Sequence, residues 1–400
     1  WTKNNQILAN ILRYGLYLLL ILLPLQARYI ITPSDNPFAI IGIYSFNILI
    51  ILLGILWLWY WYAHPTIKPQ WLSILLGITL IALATFSNYF ANNQNLALYY
   101  WLQLLSGLWL VVMVATVRLN HTVLLSSFVF NGLIQATAAI IQFVTQHVVA
   151  NKWLGVASQL PETSGVAVVV TTTGRWLRSY ALMPHPNVAA GIMVLGLVAL
   201  ALLNKNKLWL VIAAMTTFGL FLTFSRSAML VWCVLVIVLV IMKKISVAVT
   251  LTSLATLVVS VLVFWPLVSS RTVSDQYIEQ LSITERQDQL QNFTELLPRY
   301  WPQGLGLGQY TLQADQPIHN VPLMIVIELG VFGAIIWYCF NFRPIWLLRK
   351  RALSHPATYL LLAILLLSLF DHYFWTLPTG LFLWLYMVGW AYHDTKLHSM

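Results

Sequence analysis

The chain has 400 residues, of which 60% are hydrophobic and only 8% are charged, and its formal net charge is +10. A soluble domain carries about 25% charged residues, so this composition excludes an ordinary water-soluble fold. Apolar stretches of about 20 residues recur along the whole chain, which indicates membrane-spanning helices and excludes a barrel of alternating strands. The positive charge is typical of cytoplasmic loops in membrane proteins, so it does not indicate a nucleic-acid partner.

The apolar stretches predict an all-α polytopic membrane protein with about twelve transmembrane helices. Residues 1–400 would then form a single integral membrane domain. The predicted spans, in chain order, cover 7–24, 38–60, 71–90, 99–117, 123–144, 186–203, 208–223, 227–242, 247–267, 320–342, 358–370 and 377–392. The eleventh stretch is short, and we expect it to extend to Tyr373.

Basic residues predict the orientation of these spans. With the N-terminus in the cytoplasm, the densest short clusters, at 205–207, 243–244 and 349–351, all fall on the cytoplasmic side. This is the distribution that the positive-inside rule describes. The two long polar loops, 146–185 and 268–319, are then extracytoplasmic. We therefore expect a multi-pass protein of the cytoplasmic (inner) membrane with its functional groups on the outer face.

The loop 268–319 is the longest polar stretch, and its middle predicts a helix. Ser282 followed three residues later by Glu285 fits a capping box, in which Ser282 caps the helix N-terminus and Glu285 reaches back to it. A helix of about four turns should follow. It should stop at Pro298, because proline lacks the backbone N–H that a helix interior requires.

This predicted loop helix is amphipathic and carries an arginine on its apolar side. Leu290, Phe293 and Leu297 recur at helical spacing. Arg286 lies four residues before Leu290 on the same stripe. An arginine on a buried stripe is costly unless it meets an anion, so Arg286 is a candidate anion-binding residue. The alternative is that its charged head extends to water or pairs with a neighbouring acid.

Two further features close the long loop. The run 302–308 reads PQGLGLG, and its glycines predict a tight turn close to a ligand or to another backbone. It does not indicate a nucleotide site, since no strand precedes it. His319 lies where the loop meets the tenth span, with Asp315 nearby as a candidate partner. We expect His319 to act as a general base, and a structural histidine is the alternative.

Other connections predicted on this side carry more basic residues. Arg178 precedes a Pro-His-Pro-Asn turn, in which His185 is a secondary candidate and Asn187 can cap the sixth span. Ser225 can cap the eighth span, which places Arg226 at a helix N-terminus, where the helix dipole disfavours a cation. An arginine in that position indicates an anion to bind.

These residue types suit one kind of ligand. Arginines near the headgroup level bind phosphate or pyrophosphate, because a guanidinium donates two parallel hydrogen bonds to phosphate oxygens. A lipid diphosphate fits this location. One histidine base, with Asp315 and His372 as secondary candidates, would complete a site that transfers a group to a hydroxyl. These loops contain no close acid pair and no His/Cys cluster with metal spacing, so we expect neither a metal nor another cofactor.

Ordered stretches over about half of the chain resemble the O-antigen ligase and O-antigen polymerase family of bacterial membrane glycosyltransferases. The stretches are RSYALMPHPN at 178–187, TFSRS at 223–227, ER at 285–286, PQGLGLG at 302–308, and HN and ELG within 319–330. They occur in the family's order. The large loop before the tenth predicted span is also similar to the layout of this family.

The resemblance implies a GT-C-like helical fold with a large extracytoplasmic loop between the ninth and tenth helices. It implies inverting, metal-independent transfer of a glycan from undecaprenyl diphosphate to an acceptor hydroxyl, in lipopolysaccharide or other cell-envelope polysaccharide biosynthesis. By matching position, Arg226 and Arg286 would hold the pyrophosphate, with Arg178 as a further candidate, and His319 would activate the acceptor. The acceptor, whether a glycan, a lipid or a protein, has no recognisable site.

Three functions stay open at this point. A ligase would move a whole glycan to a different acceptor, whereas a polymerase would join lipid-linked repeat units. A transporter or flippase of lipid-linked sugars is the alternative of another class. Transporters place charges in the middle of the membrane along paired, broken helices, whereas the polar residues here collect on one side. Arginines that converge on one cavity would favour the enzyme.

Overall fold

A computed structural model of the chain describes residues 3–63, 71–203, 207–271, 277–314 and 316–396. Most of these residues are helical, and the sheet content is two short hairpins within the described ranges. The predicted helical class is therefore confirmed in its main part, and the hairpins are an addition that the sequence did not indicate.

The helices follow the predicted spans closely. They are α1 (Lys3–Leu22), α2 (Ser45–Ala63), α3 (Trp71–Asn88), α4 (Gln94–Thr116), α5 (His121–Thr145), α6 (Pro186–Leu203), α7 (Leu208–Leu222), α8 (Arg226–Ile241), α9 (Val247–Val263), α10 (Trp265–Ser270), α11 (Tyr277–Tyr300), α12 (Tyr310–Gln313), α13 (Val321–Leu348), α14 (Pro356–Ser368), α15 (Tyr373–Thr376) and α16 (Pro378–Lys396). A 3₁₀-helix, Arg349–Ser354, joins α13 to α14.

Six helices in the described part of the chain are long and apolar enough to cross a membrane. They are α2, α3, α4, α5, α6 and α13. The helices α1, α7, α8, α9 and α14 are also apolar but have shorter apolar segments. Together with the composition, these helices make the chain a helical membrane protein.

Helix α6 lies at the centre of the packed helices, since nearly all of its residues are buried. Small residues let α5 approach it closely: a Cβ added to Gly196 would lie 2.9 Å from the Cα of Gly132. Between membrane helices, such glycine contacts are a main source of packing, because lipid tails provide no hydrophobic drive for association. The connection that enters α6 is therefore held firmly in place.

One hairpin lies in the connection between α1 and α2, and the other lies in the connection between α5 and α6. Strand β1 (Arg28–Thr32) pairs antiparallel with β2 (Ile41–Tyr44), and β3 (Val168–Thr171) pairs with β4 (Gly174–Leu177). The expectation that the second span starts at residue 38 is wrong, because residues 41–44 form β2. These residues are apolar enough to read as membrane helix, but their β-branched side chains favour a strand once a partner strand is available.

In the long loop, α11 is longer than the capping box predicts. The helix starts at Tyr277, so Ser282 lies inside it and does not form its N-terminus. The helix also continues past Pro298 to Tyr300. A proline removes one backbone N–H donor, and this loss is tolerated here because the helix ends within two residues. Both predicted ends were therefore wrong, while the helix itself was right.

The buried side of α11 is rotated relative to the predicted stripe. Gln289 and Phe293 are buried, whereas Leu290 is 48% exposed. Arg286 is exposed and does not lie on the buried stripe, so its burial cost is not the reason to expect an anion there. Its position beside a cavity, described below, is the stronger reason.

The glycine run after α11 packs against a break in α13. Gly330 has φ +72° and ψ 170°, which interrupts the helix. The break leaves backbone groups of α13 without partners inside the helix, and the segment 301–308 supplies partners. For example, the Gly306 N–H donates to the Glu328 carbonyl at 3.1 Å. The predicted tight turn against another backbone is therefore confirmed.

The eleventh predicted span does not extend to Tyr373. Helix α14 ends at Ser368, and a turn carrying Asp371 and His372 separates it from α15. The Asp371 carboxylate accepts a hydrogen bond from the His372 backbone N–H at 2.8 Å. A side chain that bonds its own backbone in this way competes with helix continuation, and the chain turns here for that reason.

Gly304→Ala should destabilise the protein more than Gly165→Ala. Both glycines have φ +78°, so both substitutions place a Cβ in a backbone conformation that costs about 1 kcal/mol. A Cβ on Gly304 would also lie 2.3 Å from the Glu328 carbonyl oxygen, whereas one on Gly165 meets no atom within 4 Å. Thermal unfolding midpoints in detergent measure the difference, and equal losses would contradict the tight packing of the 301–308 segment.

Candidate functional site

A cavity of about 950 Å³ lies at one end of the helices. It is formed by the connections at that end, by the start of α8 and by the middle of α11. It brings together predicted site residues that are far apart in sequence. Those that line it are Arg178, Arg226, Arg286, His185, His319 and His372. The remaining candidate, Asp315, lies outside the described residues.

The cavity also contains charged residues that were not predicted as part of the site. Arg28 from β1 and Arg271 after α10 line it, as do Glu285 and Asp371. The described lining thus has five arginines and two acids, which favours an anionic ligand. Arg28 is the only basic residue between the first two predicted spans, and this was the one sequence feature that could have marked it as a site residue. Only the fold shows that it shares a cavity with the others.

A chain of hydrogen bonds runs from Arg178 to Asp371. The Arg178 guanidinium donates from Nη2 to Asn187 Oδ1 at 2.8 Å, and Asn187 Nδ2 donates to Asp371 Oδ2 at 2.8 Å. Arg178 Nε also donates to the Thr223 carbonyl at 2.9 Å. Asn187 therefore connects an arginine to a carboxylate. The expectation that it caps the sixth span is wrong, because α6 starts at Pro186 and Asn187 lies inside it.

Two arginines brace the turn between α7 and α8. Arg271 Nη1 donates to the Phe224 carbonyl at 2.9 Å, and Arg226 Nη1 lies 3.3 Å from the Arg271 carbonyl, which accepts from it. Phe224 has φ +50°, the left-handed region that a non-glycine residue rarely adopts. Ser225 occupies the N-cap position of α8, but its side chain makes no capping hydrogen bond, so the predicted cap is wrong.

The contacts of His319 fix which of its ring nitrogens carries the proton. Gln289 Oε1 lies 3.0 Å from His319 Nδ1 and also accepts from the His319 backbone N–H at 3.2 Å. A backbone N–H can only donate, so the amide must present its oxygen at this position. The same oxygen then requires an N–H at Nδ1, which leaves Nε2 as the basic nitrogen. Gln289, which the sequence reasoning missed, is thus a positioning residue.

His319, Asp371 and His372 form a compact cluster. The His319 and His372 rings stack edge to face with centroids 5.2 Å apart, and His372 Nε2 lies 3.7 Å from Asp371 Oδ1. One ligand atom from each of the three residues lies within 4.8 Å of the others, a spacing that can hold a metal ion. The five arginines of the cavity disfavour a cation, so we assign no metal ligands here.

The environment of the cluster keeps both histidines neutral near pH 7. Burial lowers the pKa of His319, and Arg286 lowers it further, while Asp371 and Glu285 oppose the change. Burial also lowers the pKa of His372 to about 4. Burial alone would raise the pKa of Asp371, but the positive charge that the nearby histidines carry when protonated and the hydrogen bond from Asn187 bring it below its usual value. At neutral pH the site therefore holds an ionised carboxylate and neutral imidazoles.

His185 is placed at the rim of this arrangement. Its Nδ1 accepts from the Asn187 backbone N–H at 3.2 Å, and its ring contacts Tyr180 with centroids 6.3 Å apart. The Nδ1 atom is thus the acceptor that shapes the start of α6. His185 acts on Asn187 and holds the turn, which is a structural use of the histidine.

Neither a comparison with protein-family models nor one with curated proteins finds a match for this chain. The resemblance to a family therefore rests on the ordered sequence motifs alone. The assignment of a site rests on the geometry of the cavity.

Asn187→Ala should lower the stability of the protein. The substitution removes hydrogen bonds to Arg178 and to the buried carboxylate of Asp371, and a loss of this kind costs about 1–3 kcal/mol. A thermal unfolding midpoint in detergent measures it. The exchange Asn187→Asp/Asp371→Asn retains an amide-to-carboxylate bond and should lose less. If the exchange is as unstable as Asn187→Ala, the hydrogen-bond chain is not the source of the stability.

Proposed function

We propose that the protein is an O-antigen ligase-like glycosyltransferase, which transfers a glycan from undecaprenyl diphosphate to an acceptor hydroxyl. The observation that carries the proposal is the convergence of His319 with Arg178, Arg226 and Arg286 on one cavity. These four residues belong to separate sequence motifs. Their presence in one cavity indicates that the motifs contribute to a common site.

The arginines would hold the diphosphate of the donor. Arg226 comes from the start of α8 and Arg286 from the middle of α11, so two separate elements supply guanidinium groups to the same cavity. Guanidinium groups bind phosphate oxygens through paired hydrogen bonds and stabilise the charge that develops on a leaving pyrophosphate. Arg28 and Arg271 extend the same cationic lining, and we include them among the diphosphate-binding candidates.

His319 would act as the general base. Its free Nε2 takes the proton of the acceptor hydroxyl while the hydroxyl oxygen forms a bond to the anomeric carbon of the donor sugar. The bond from that carbon to the phosphate oxygen breaks, and the undecaprenyl diphosphate leaves with the electron pair. Attack opposite to the leaving group inverts the anomeric configuration. No metal is required in this scheme, because the arginines neutralise the leaving group.

The proposal also specifies how the helices are arranged in the membrane, in more detail than the helix pattern alone establishes. We place about twelve spans across the membrane in a GT-C-like fold, with the cavity on the extracytoplasmic face of the cytoplasmic membrane. The alternation of the connections supports it, since the cavity connections all lie at one end of the helices. Lys207, before α7, and Lys243 and Lys244, after α8, lie at the other end.

A polymerase that joins lipid-linked repeat units would use the same donor and base, so the cavity supports both enzymes. We favour the ligase, whose acceptor is a glycan, a lipid or a protein. A transporter is less well supported, because the five arginines of the cavity gather at one end of the helices. Glu328 is a buried acid within α13, but it is held by Trp375, whose Nε1 donates to its Oε2 at 2.7 Å.

The substitution His319→Ala should abolish transfer without preventing donor binding. Purified protein is incubated with a lipid-diphosphate glycan and an acceptor in EDTA, and product is measured together with donor affinity. Loss of a general base typically lowers the rate by about 10²–10⁴-fold. Arg226→Ala and Arg286→Ala should instead weaken donor binding as well as turnover. Product length separates a ligase from a polymerase.

His147→Ala is the matched control, because His147 lies on the same side of the fold but does not line the cavity. It should retain wild-type turnover. Near-normal turnover of His319→Ala would refute the base assignment and make His372 or Asp315 the next candidate. Loss of wild-type activity in EDTA would refute the metal-independent scheme.

The acid limb of the pH–rate profile should lie below the ordinary histidine pKa of 6.5. A base works only when it is neutral, and burial keeps His319 neutral to lower pH, so activity should persist as the pH falls below 6.5. Asp371→Asn removes a negative charge that raises the pKa of His319, so the limb should move further down. An acid limb at or above pH 6.5, or an upward shift in Asp371→Asn, would contradict this assignment.

A further inference from the structure

A second cavity, of about 320 Å³, lies at the opposite end of the helices from the candidate site. It is formed by the first half of α1, the end of α2 and the connection between α4 and α5. Its lining residues are Gln6, Ala9, Asn10, Arg13, Tyr60, Val117 and Arg118. The proposed glycosyltransferase reaction uses none of them.

The polar lining of this cavity is suited to an anion. Arg13 and Arg118 supply two guanidinium groups, and no acidic side chain lines the cavity within the described residues. Arg13 donates from Nε to the Arg118 carbonyl at 2.9 Å and from Nη1 to Asn10 Oδ1 at 3.4 Å. These are neutral acceptors, so they orient the guanidinium without neutralising its charge, and a guanidinium has further N–H groups to donate.

The surroundings of this cavity have the character of a membrane surface. At the end of α2, Trp59 is 66% and Tyr62 84% exposed. Tyrosine and tryptophan exposed at a helix end are typical of the headgroup level of a bilayer. On α1, Ile7 and Ile11 are 51% and 48% exposed beside the cavity. Apolar side chains at that place suit acyl chains better than water.

We propose that this cavity binds the phosphate of an anionic glycerophospholipid, in the leaflet opposite the candidate functional site. The two arginines would contact the phosphate oxygens in the manner that guanidinium groups favour. The acyl chains would lie along the exposed apolar side of α1. A free phosphate shares the headgroup chemistry, but it makes no use of the apolar flank.

A bound lipid would join two parts of the structure that already touch here. Arg13 contacts the α4–α5 connection, and nearby the Tyr17 hydroxyl accepts from the Asn120 backbone N–H at 2.6 Å. A phosphate shared by Arg13 and Arg118 would strengthen this contact between α1 and α5. The proposal does not depend on the proposed enzymatic function.

The test measures lipid binding to the purified full chain in neutral detergent by native mass spectrometry. The probes are phosphatidylglycerol, phosphatidylcholine and inorganic phosphate. The variants are Arg118→Gln and Arg13→Gln/Arg118→Gln. Lys243→Gln is the matched control, because it removes one exposed positive charge at the same end of the helices but outside the cavity.

We expect wild type to prefer phosphatidylglycerol over phosphatidylcholine. The double variant should bind phosphatidylglycerol about tenfold more weakly, and Lys243→Gln should bind it like wild type. Arg118→Gln alone should show part of the loss, and it gives the answer if the double variant does not fold. An equal effect of Lys243→Gln, or no effect of the cavity variants, would overturn the site. Displacement of the lipid by inorganic phosphate at similar concentration would assign the site to a free phosphate and refute the lipid.

Discussion

The buried carboxylate of Asp371 is the group on which the arrangement of the candidate site depends. A carboxylate inside a protein must be hydrogen-bonded and near positive charge, or its burial costs more than it returns. Here it accepts from Asn187 and from the His372 backbone, and Asn187 accepts from Arg178. Residues from the connections before α6 and after α14 are thereby held in one place. Arg178 adds the α7–α8 turn through its bond to the Thr223 carbonyl.

The sequence predicted the parts of this fold that local chemistry determines. The span 186–203 matches α6 at both ends, because a proline starts it and an uninterrupted apolar run follows. The convergence of Arg226 and His319 was also foreseeable. Each lies at the start of a helix, and successive spans alternate in direction, so both residues fall at the same end of the helices.

What the sequence could not predict depends on contacts between distant segments. Residues 41–44 are a strand because Arg28–Thr32 pairs with them, and no local pattern shows that partner. Gln289 binds His319 across 30 residues, and its amide resembles any other polar residue of an amphipathic helix. The prediction that this helix begins at Ser282 was wrong for a local reason. The residues before the capping box also favour a helix, so the helix starts earlier.

The two ends of the molecule use arginine for different purposes in our proposals. At the candidate site, arginines stand beside a base, so an anion is held where a proton can be removed and a bond can break. At the second cavity, the other polar residues of the described lining are two amides and a tyrosine, which have no such chemistry at neutral pH. The first arrangement suits a reaction, and the second suits a lasting attachment to the bilayer.

The break in α13 at Gly330 also constrains how α11 can move. The segment that follows α11 fills this break with backbone hydrogen bonds, and in an apolar environment such bonds are costly to open. The C-terminal end of α11 is thus anchored, and a tilt of the helix must pivot near Tyr300. Displacement grows with distance from the pivot. Arg286, about 21 Å along the helix from Tyr300 at 1.5 Å per residue, would therefore swing further than Gln289. Gln289, about 16.5 Å from the same pivot, would move about four fifths as far, so a tilt of α11 shifts the contact to His319 together with Arg286.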